Sequence, residues 1–189
     1  MDNEKLSILR LLIGNQEENL SIRQIALKRK INYKSAYNAV RKLEKEGVID
    51  LKKHGNTMLC KFNLNFNASV FIVEYAKLQE LLENKNFRVI YNRISSINSQ
   101  FIMLLFGSYV RKENTKYSDI DILSVSDNRK EIEKEVALLP FKIHFTAVNY
   151  KDFIAMLKSK EMTVVSEAVK KNIILFGIED YYRLIKNAG

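Results

Sequence analysis

Two pairs of residues in the middle of the chain could do chemistry together: Gly107-Ser108, and Asp119 with Asp121. The two aspartates open the run Asp119-Ile120-Asp121-Ile122-Leu123-Ser124-Val125, whose apolar residues suit a β-strand. Side chains alternate across a strand, so acids at i and i+2 point to the same face. Two like charges held side by side repel unless a cation sits between them. A hard divalent cation such as Mg2+ meets that need, because it takes oxygen ligands and is often held by one or two carboxylates plus substrate phosphates. Gly107-Ser108 supplies the complementary half. Glycine lets the backbone come close to a phosphate, and Ser108 offers a hydroxyl and a backbone N–H where a helix can begin, a place that suits anions. The pattern is that of a phosphate cradle beside a metal clamp.

The elements that must position these groups are legible around them. Residues 101–106 form a continuous apolar run, FIMLLF, the length and composition of a strand covered on both faces. It stops at the Gly-Ser step, and a polar segment leads to the second strand. Gly107-Ser108, ten residues, then Asp119-x-Asp121 resembles the minimal signature of the nucleotidyltransferase superfamily, which includes the kanamycin-type nucleotidyltransferases and small antitoxin-like proteins. The resemblance covers about residues 87–189. It implies that Gly107 and Ser108 bind the triphosphate of a nucleoside triphosphate, and that Asp119 and Asp121 are catalytic and hold Mg2+. Arg111 and Lys112 are close enough in sequence to steady phosphate oxygens. The implied reaction is in-line attack of an acceptor hydroxyl on the α-phosphate with loss of pyrophosphate. One feature departs from the family. Many members carry a third carboxylate on the following strand, and here that strand, FKIHFTAV, has none. One of its faces carries Lys142, His144 and Thr146, with His144 a candidate proton acceptor. The plain alternative is a strand pair whose aspartates merely solubilise an edge.

The 189 residues are 47% apolar, enough for one large or two small domains with real cores. The net charge of +9 favours a polyanionic partner. It is unevenly spread: residues 1–66 carry 13 Lys/Arg against 7 Asp/Glu, and residues 67–189 carry 18 against 15. The single cysteine, Cys60, cannot form an internal disulfide and fits a reducing compartment. Two histidines and one cysteine cannot build an ordinary structural zinc site. No apolar run approaches a membrane span. The N-terminus, MDNEKLSILRLLIG, places acids before its apolar part and does not read as a signal peptide. A cytoplasmic protein with no membrane partner is expected.

The basic first third reads as three helices and a hairpin. Residues 5–13 bring Leu6, Leu9 and Ile13 to one face, and Gly14-Asn15 ends that helix. Ser21-Ile22-Arg23-Gln24 is a capping box for a second helix that buries Ile22, Ile25, Ala26 and Leu27. In a third helix, residues 34–46, Ala36, Ala39, Val40 and Leu43 form the apolar stripe, while Lys34, Tyr37, Asn38, Arg41 and Lys45 share the other face. Residues 48–52 and 57–63 flank His54-Gly55-Asn56 as a hairpin. This order resembles the winged helix-turn-helix regulators. The resemblance implies duplex DNA as partner, with the five polar residues of the third helix meeting phosphates and base edges. Such regulators often form homodimers, and the sequence leaves that open.

A helix over residues 68–83, with Val70, Phe71, Val73, Leu78, Leu81 and Leu82 on its apolar side, links the two parts; no Pro/Gly-rich tether separates them. The expected organisation is a DNA-binding winged helix at 1–66, a helical connector at 67–86 and a nucleotidyltransferase-like domain at 87–189. The fold class is α+β, with a small mixed sheet in the second domain. Three functions fit: a Mg2+-dependent nucleotidyltransferase with a DNA-binding address; a winged-helix regulator whose C-terminal domain binds nucleotide without turnover; or an antitoxin-like protein that pairs with a partner protein.

Overall fold

The computed structural model describes residues 3–115, 117–159 and 161–188. The fold is α+β and divides into two compact units, Met1–Tyr75 and Ala76–Gly189. Among the described residues no helix is long and apolar enough to cross a membrane.

The first unit holds α1 (Asn3–Ile13), β1 (Leu20–Ser21), α2 (Ile22–Arg29), α3 (Tyr33–Lys45), β2 (Ile49–His54), β3 (Thr57–Phe62) and the start of α4 (Ala68–Leu82). Its helices form where the apolar spacing and caps direct. Ser21 caps α2: its Oγ accepts from the Gln24 N–H, and the Gln24 Oε1 accepts from the Ser21 N–H. Asn32 caps α3 by accepting from the Ser35 N–H at 2.8 Å. Ile8, Leu9 and Leu12 of α1 meet Ile22 and Ile25 of α2 and Ala36, Ala39, Val40 and Leu43 of α3 in one core. The strands make an antiparallel sheet in the order β1-β3-β2. Its hairpin turns through Gly55-Asn56, with Gly55 at φ +57, where a tight two-residue turn calls for glycine. Leu27 is 71% exposed, contrary to expectation, because it lies off the stripe set by Ile22, Ile25 and Ala26. Phe71 is likewise exposed on α4 and stacks on Tyr75 instead of joining Val70 and Val73 in the core. Cys60 is fully buried on β3, and burial pushes its thiol up to about 12, so it stays protonated and unreactive.

The second unit continues α4 and adds α5 (Lys85–Ile94), β4 (Ile102–Phe106), α6 (Ser108–Arg111), β5 (Ile120–Val125), α7 (Arg129–Ala137), β6 (Ile143–Val148), α8 (Tyr150–Lys158), α9 (Val164–Lys170), β7 (Ile173–Phe176) and α10 (Ile178–Ala188). The sheet order is β6-β5-β4-β7; β5 and β6 run parallel, and the other neighbours are antiparallel. Every residue of β4 is buried, as its unbroken apolar run requires. One face packs Met103, Leu105, Ile120 and Ile122 against Phe87, Ile90 and Ile94 of α5 and Ile132 and Val136 of α7. On the other face α9 and α10 lie against the central strands, with α8 packed on both of those helices.

One polar lock holds the first unit. Lys5 of α1 and Ser69 of α4 both donate to Glu46 at the end of α3. Burial by itself would raise the Glu46 carboxyl; the hydrogen bonds from Lys5 and Ser69 and the Lys5 charge outweigh it and hold the carboxyl below the usual glutamate range. A depressed folded value means that this stabilisation is present above the unfolded value, about 4.3, and is lost as pH falls through the lowered one. Glu46→Gln is expected to cost about 1 kcal/mol at neutral pH and to flatten that acid dependence. Amide hydrogen exchange of α1 and α3, followed from neutral to acidic pH, reads both effects.

Candidate active site

The candidate site is assembled at the end of β4 and the start of β5. Because β4 is buried on both faces, it delivers Gly107 to a fixed place. Gly107 has φ +74 and ψ −148, and α6 begins immediately after it as a single turn. Lys112, in the left-handed region, closes that turn, and the Glu113 N–H donates to the Ser108 carbonyl. Before β5, the loop is tied by the Thr115 N–H, which donates to Ser118 Oγ at 2.9 Å, and by the Ser118 N–H, which donates to the Thr115 carbonyl.

Register then brings the motif together. Phe106 of β4 pairs with Asp121 of β5, so Asp121 stands beside the residue that follows Phe106. A Cβ on Gly107 would lie 2.1 Å from Asp121 Oδ2, so the carboxylate fills the space that a side chain at 107 would need. Asp119 lies one residue before β5 and shares Asp121's face by strand alternation. The structure thus seats the Asp121 carboxylate against Gly107, with Ser108 next in the chain and Asp119 one residue before β5.

What faces the acids is not an acid. In the parallel pairing of β5 and β6, Asp121 sits opposite His144, and His144 Nδ1 is 3.2 Å from Asp121 Oδ1. One step back, the Lys142 ammonium lies 2.7 Å from Asp119 Oδ1. That ion pair is close, yet its angles are not those of a hydrogen bond: Asp119 Oδ1 is shielded from water and receives no hydrogen bond among the described residues. Lys142 and His144 are themselves 78% and 61% exposed. The sequence put Lys142, His144 and Thr146 on one face but did not say which residues they would meet. The signal was there in the matching periods of Asp-x-Asp and Lys-x-His, and only the in-phase parallel pairing gives it meaning.

Arg111 takes a different place from the one expected of a phosphate ligand. It donates to Glu113 at 2.9 Å and to Glu167 of α9 at 3.0 Å, so it clasps α6 and its following loop to α9. The hydrogen bond to Glu113, then that to Glu167, raises its pKa further. Lys112 is exposed.

Among the described residues, no three His, Cys, Asp or Glu side chains are arranged to hold a metal ion. The donor set still fits one Mg2+ of the kind whose remaining ligands are phosphate oxygens and water: two carboxylates share a face, and one of their oxygens, Asp119 Oδ1, is shielded from water and answered only by the misaligned Lys142 ammonium. It does not fit a second ion, because β6 offers no acid toward this face. A cleft of 370 Å³ lined by Phe87, Tyr109, Asn114, Thr115 and Ile120, among others, runs along the loop between Ser108 and Asp119. A 440 Å³ cleft lies at the opposite end of β5, around Ser126 and Tyr150, away from the carboxylates.

A separate surface lies on α3. Lys34, Tyr37, Asn38, Arg41 and Lys45 are all exposed there, opposite the buried Ala36, Ala39, Val40 and Leu43. Tyr37 stacks on Tyr33, and Arg41 pairs with Glu44 on the same helix.

Residues 88–177 match the model of the nucleotidyltransferase domain, a span that takes in all four strands of the second sheet. No curated protein and no solved structure matches the chain significantly.

The Gly107–Asp121 abutment makes a sharp expectation. Gly107→Ala must push the Asp121 carboxylate aside and hold alanine at φ +74, at a cost of roughly 1–3 kcal/mol in stability. The greater loss should be in binding of a Mg2+–nucleoside triphosphate, measured by calorimetry on protein shown by circular dichroism to be folded.

Proposed function

We propose that this protein is a Mg2+-dependent nucleotidyltransferase that moves a nucleoside monophosphate from a nucleoside triphosphate to an acceptor hydroxyl, with a winged helix in residues 1–66 as its DNA-binding address and residues 67–86 as connector to the domain at 87–189. A nucleotidyltransferase domain at residues 88–177 supports nucleotidyl transfer in general. The observation that carries the finer reading is the Asp121 carboxylate seated against Gly107 at the ends of the two central strands, with Ser108 next in the chain and Asp119 one residue before β5.

In this reading Gly107 and the Ser108 hydroxyl and N–H cradle the triphosphate, and Asp119 and Asp121 hold Mg2+. When bound, the ion would neutralise charge that builds on the phosphoryl oxygens. The acceptor oxygen forms a bond to the α-phosphorus and gives up its proton to water, the bond from that phosphorus to the bridging oxygen breaks, and pyrophosphate departs. The buried β4 and the β4–β5 register hold the cradle and the acids in place throughout. The test is incubation with Mg2+ and each of the four labelled ribonucleoside triphosphates, with and without nucleic-acid and protein acceptors. Label should pass to an acceptor and fall by two orders of magnitude or more, on the order of a lost transition-state contact, in Asp119→Asn and Asp121→Asn.

A second reading has its own support. Lys142 and His144 stand where a further acid would serve a two-ion mechanism. The domain would then bind nucleotide without turnover and regulate either the DNA-binding unit or a partner protein, as in antitoxin-like relatives. Nucleotide binding that is lost in the aspartate variants, with no transfer to any acceptor, is the outcome that favours this reading.

For the DNA address, the exposed α3 residues and the surplus of basic residues in 1–66 supply the support. Affinity for duplex DNA should fall steeply as salt rises, because each phosphate contact releases counterions. Arg41→Ala and Lys45→Ala should each weaken binding and reduce the slope of log affinity against log salt by about one. Fluorescence anisotropy across a salt series measures both.

A further inference from the structure

The residues of β6 that face the two acids have a consequence for how many ions the site takes. We infer that the Lys142 ammonium replaces a second metal ion, so that the site works with a single divalent ion and a built-in cation that contacts the triphosphate. The inference rests on the reading of this edge as a metal–nucleotide site.

Three observations carry it. First, among the described residues no third carboxylate is arranged with these two to hold a second ion. Lys142, one residue before β6, and His144 and Thr146 of β6 share the carboxylates' face by strand alternation. Glu113, on the loop after α6, and Glu167, on α9, are both engaged by Arg111. An additional divalent ion needs further anionic oxygens, and it would sit beside an ammonium group.

Second, the charge works out the same. A site with three carboxylates and two divalent ions presents one net positive charge to the triphosphate. Two carboxylates, one divalent ion and one ammonium also present one. Lys142 thus supplies, by covalent attachment, the charge that the missing carboxylate and its ion would otherwise supply together.

Third, Lys142 is free to change partner. Its ammonium is 2.7 Å from Asp119 Oδ1 but makes no aligned hydrogen bond to it, and its side chain is 78% exposed. An exposed and poorly aligned ion pair is weak. A lysine on a four-carbon stem can turn from a carboxylate to a phosphate oxygen once a divalent ion takes its place at Asp119. His144, held by Asp121 at 3.2 Å, keeps the neighbouring position on β6 occupied by a group that is not an acid.

The test counts ions and measures ligand binding without asking for turnover. The 189-residue chain is saturated with a nucleoside triphosphate analogue whose α–β bridging oxygen is replaced by methylene, and bound Mn2+ is counted by electron paramagnetic resonance of the free ion. One Mn2+ per protein–analogue complex is expected for the wild type, and a second ion is expected in Lys142→Asp, which restores an acid at that place. Two ions in the wild type overturn the inference while leaving the metal–nucleotide reading intact. No protein-dependent Mn2+ binding overturns that reading and the inference with it. Lys142→Gln, a change at an exposed position that leaves the fold undisturbed, covers the case in which the aspartate variant does not fold. It should keep one ion but bind the analogue roughly ten- to a hundredfold more weakly, the loss of one charge-assisted phosphate contact. Unchanged analogue affinity in Lys142→Gln overturns the inference, because the ammonium would then be only a counter-charge to Asp119.

Discussion

Two carboxylates with one residue between them at the start of β5 repel each other unless positive charge stands beside them, and the two pairings of β5 set what surrounds them. The antiparallel register of β4 and β5 sets Asp121 against Gly107. The parallel register of β5 and β6 sets Lys142 and His144 against Asp119 and Asp121. A slip of one residue in either pairing would turn the acids to the opposite face, onto the core built from Ile120 and Ile122. The apolar core therefore protects the polar site: the burial of Ile120 and Ile122 on one face is what keeps Asp119 and Asp121 on the other. This is why a helix layer as far from the acids as α5 and α7 matters to them. Phe87, Ile90, Ile94, Ile132 and Val136 hold the register through the residues between the aspartates.

Much of this was legible in the sequence because its signals are local. The run at residues 101–106 could be read as a doubly covered strand from composition alone, and all of β4 is buried. Ser21 and Gln24 announce a capping box by their spacing, and both of its hydrogen bonds form. The buried stripe of α3 follows its period of Ala36, Ala39, Val40 and Leu43. What local pattern could not supply was partnership between distant strands. Lys142 and His144 lie 23 residues from the aspartates they meet, and a strand sequence does not state whether its neighbour is parallel or in what phase it pairs. Arg111 shows the same limit. Its charge and nearness to Ser108 suggested a phosphate ligand, but Glu167, 56 residues away, claims it as a clasp. Leu27 and Phe71 mark a different limit: hydrophobic residues next to an apolar stripe are not thereby in it, and single exposed ones are ordinary on protein surfaces.

The first unit obeys a different economy. Its interior is closed by short helices, of which α2 and α3 are capped by the side chains of Ser21 and Asn32, and α3 carries exposed cations opposite its buried stripe. Tyr33 and Tyr37 stack on that helix in the open, giving it flat apolar surface next to Lys34 and Arg41. Such a mixture of cations, carboxamide and aromatic rings suits a partner with phosphates outside and base edges within. Neither hydrophobic burial nor the internal hydrogen bonds of the unit require those residues, so their clustering is a property of the surface and not of the fold.

The proposed role of Lys142 in place of a carboxylate and its ion would have a thermodynamic side. A metal ion is held by mass action, and its contribution to nucleotide binding falls as the free ion is depleted. An ammonium on the chain is always present at full effective concentration. A site that draws part of its positive charge from Lys142 keeps more of its grip on a triphosphate when divalent ions are scarce than a site built wholly on ions. The cost appears in the chemistry. An ammonium on a flexible stem cannot fix two oxygens at once as rigidly as a coordinated ion does, so it stabilises charge without clamping geometry. In the proposed site, binding and turnover would thus be weighted differently at the same strand ends, with the balance toward holding nucleotide.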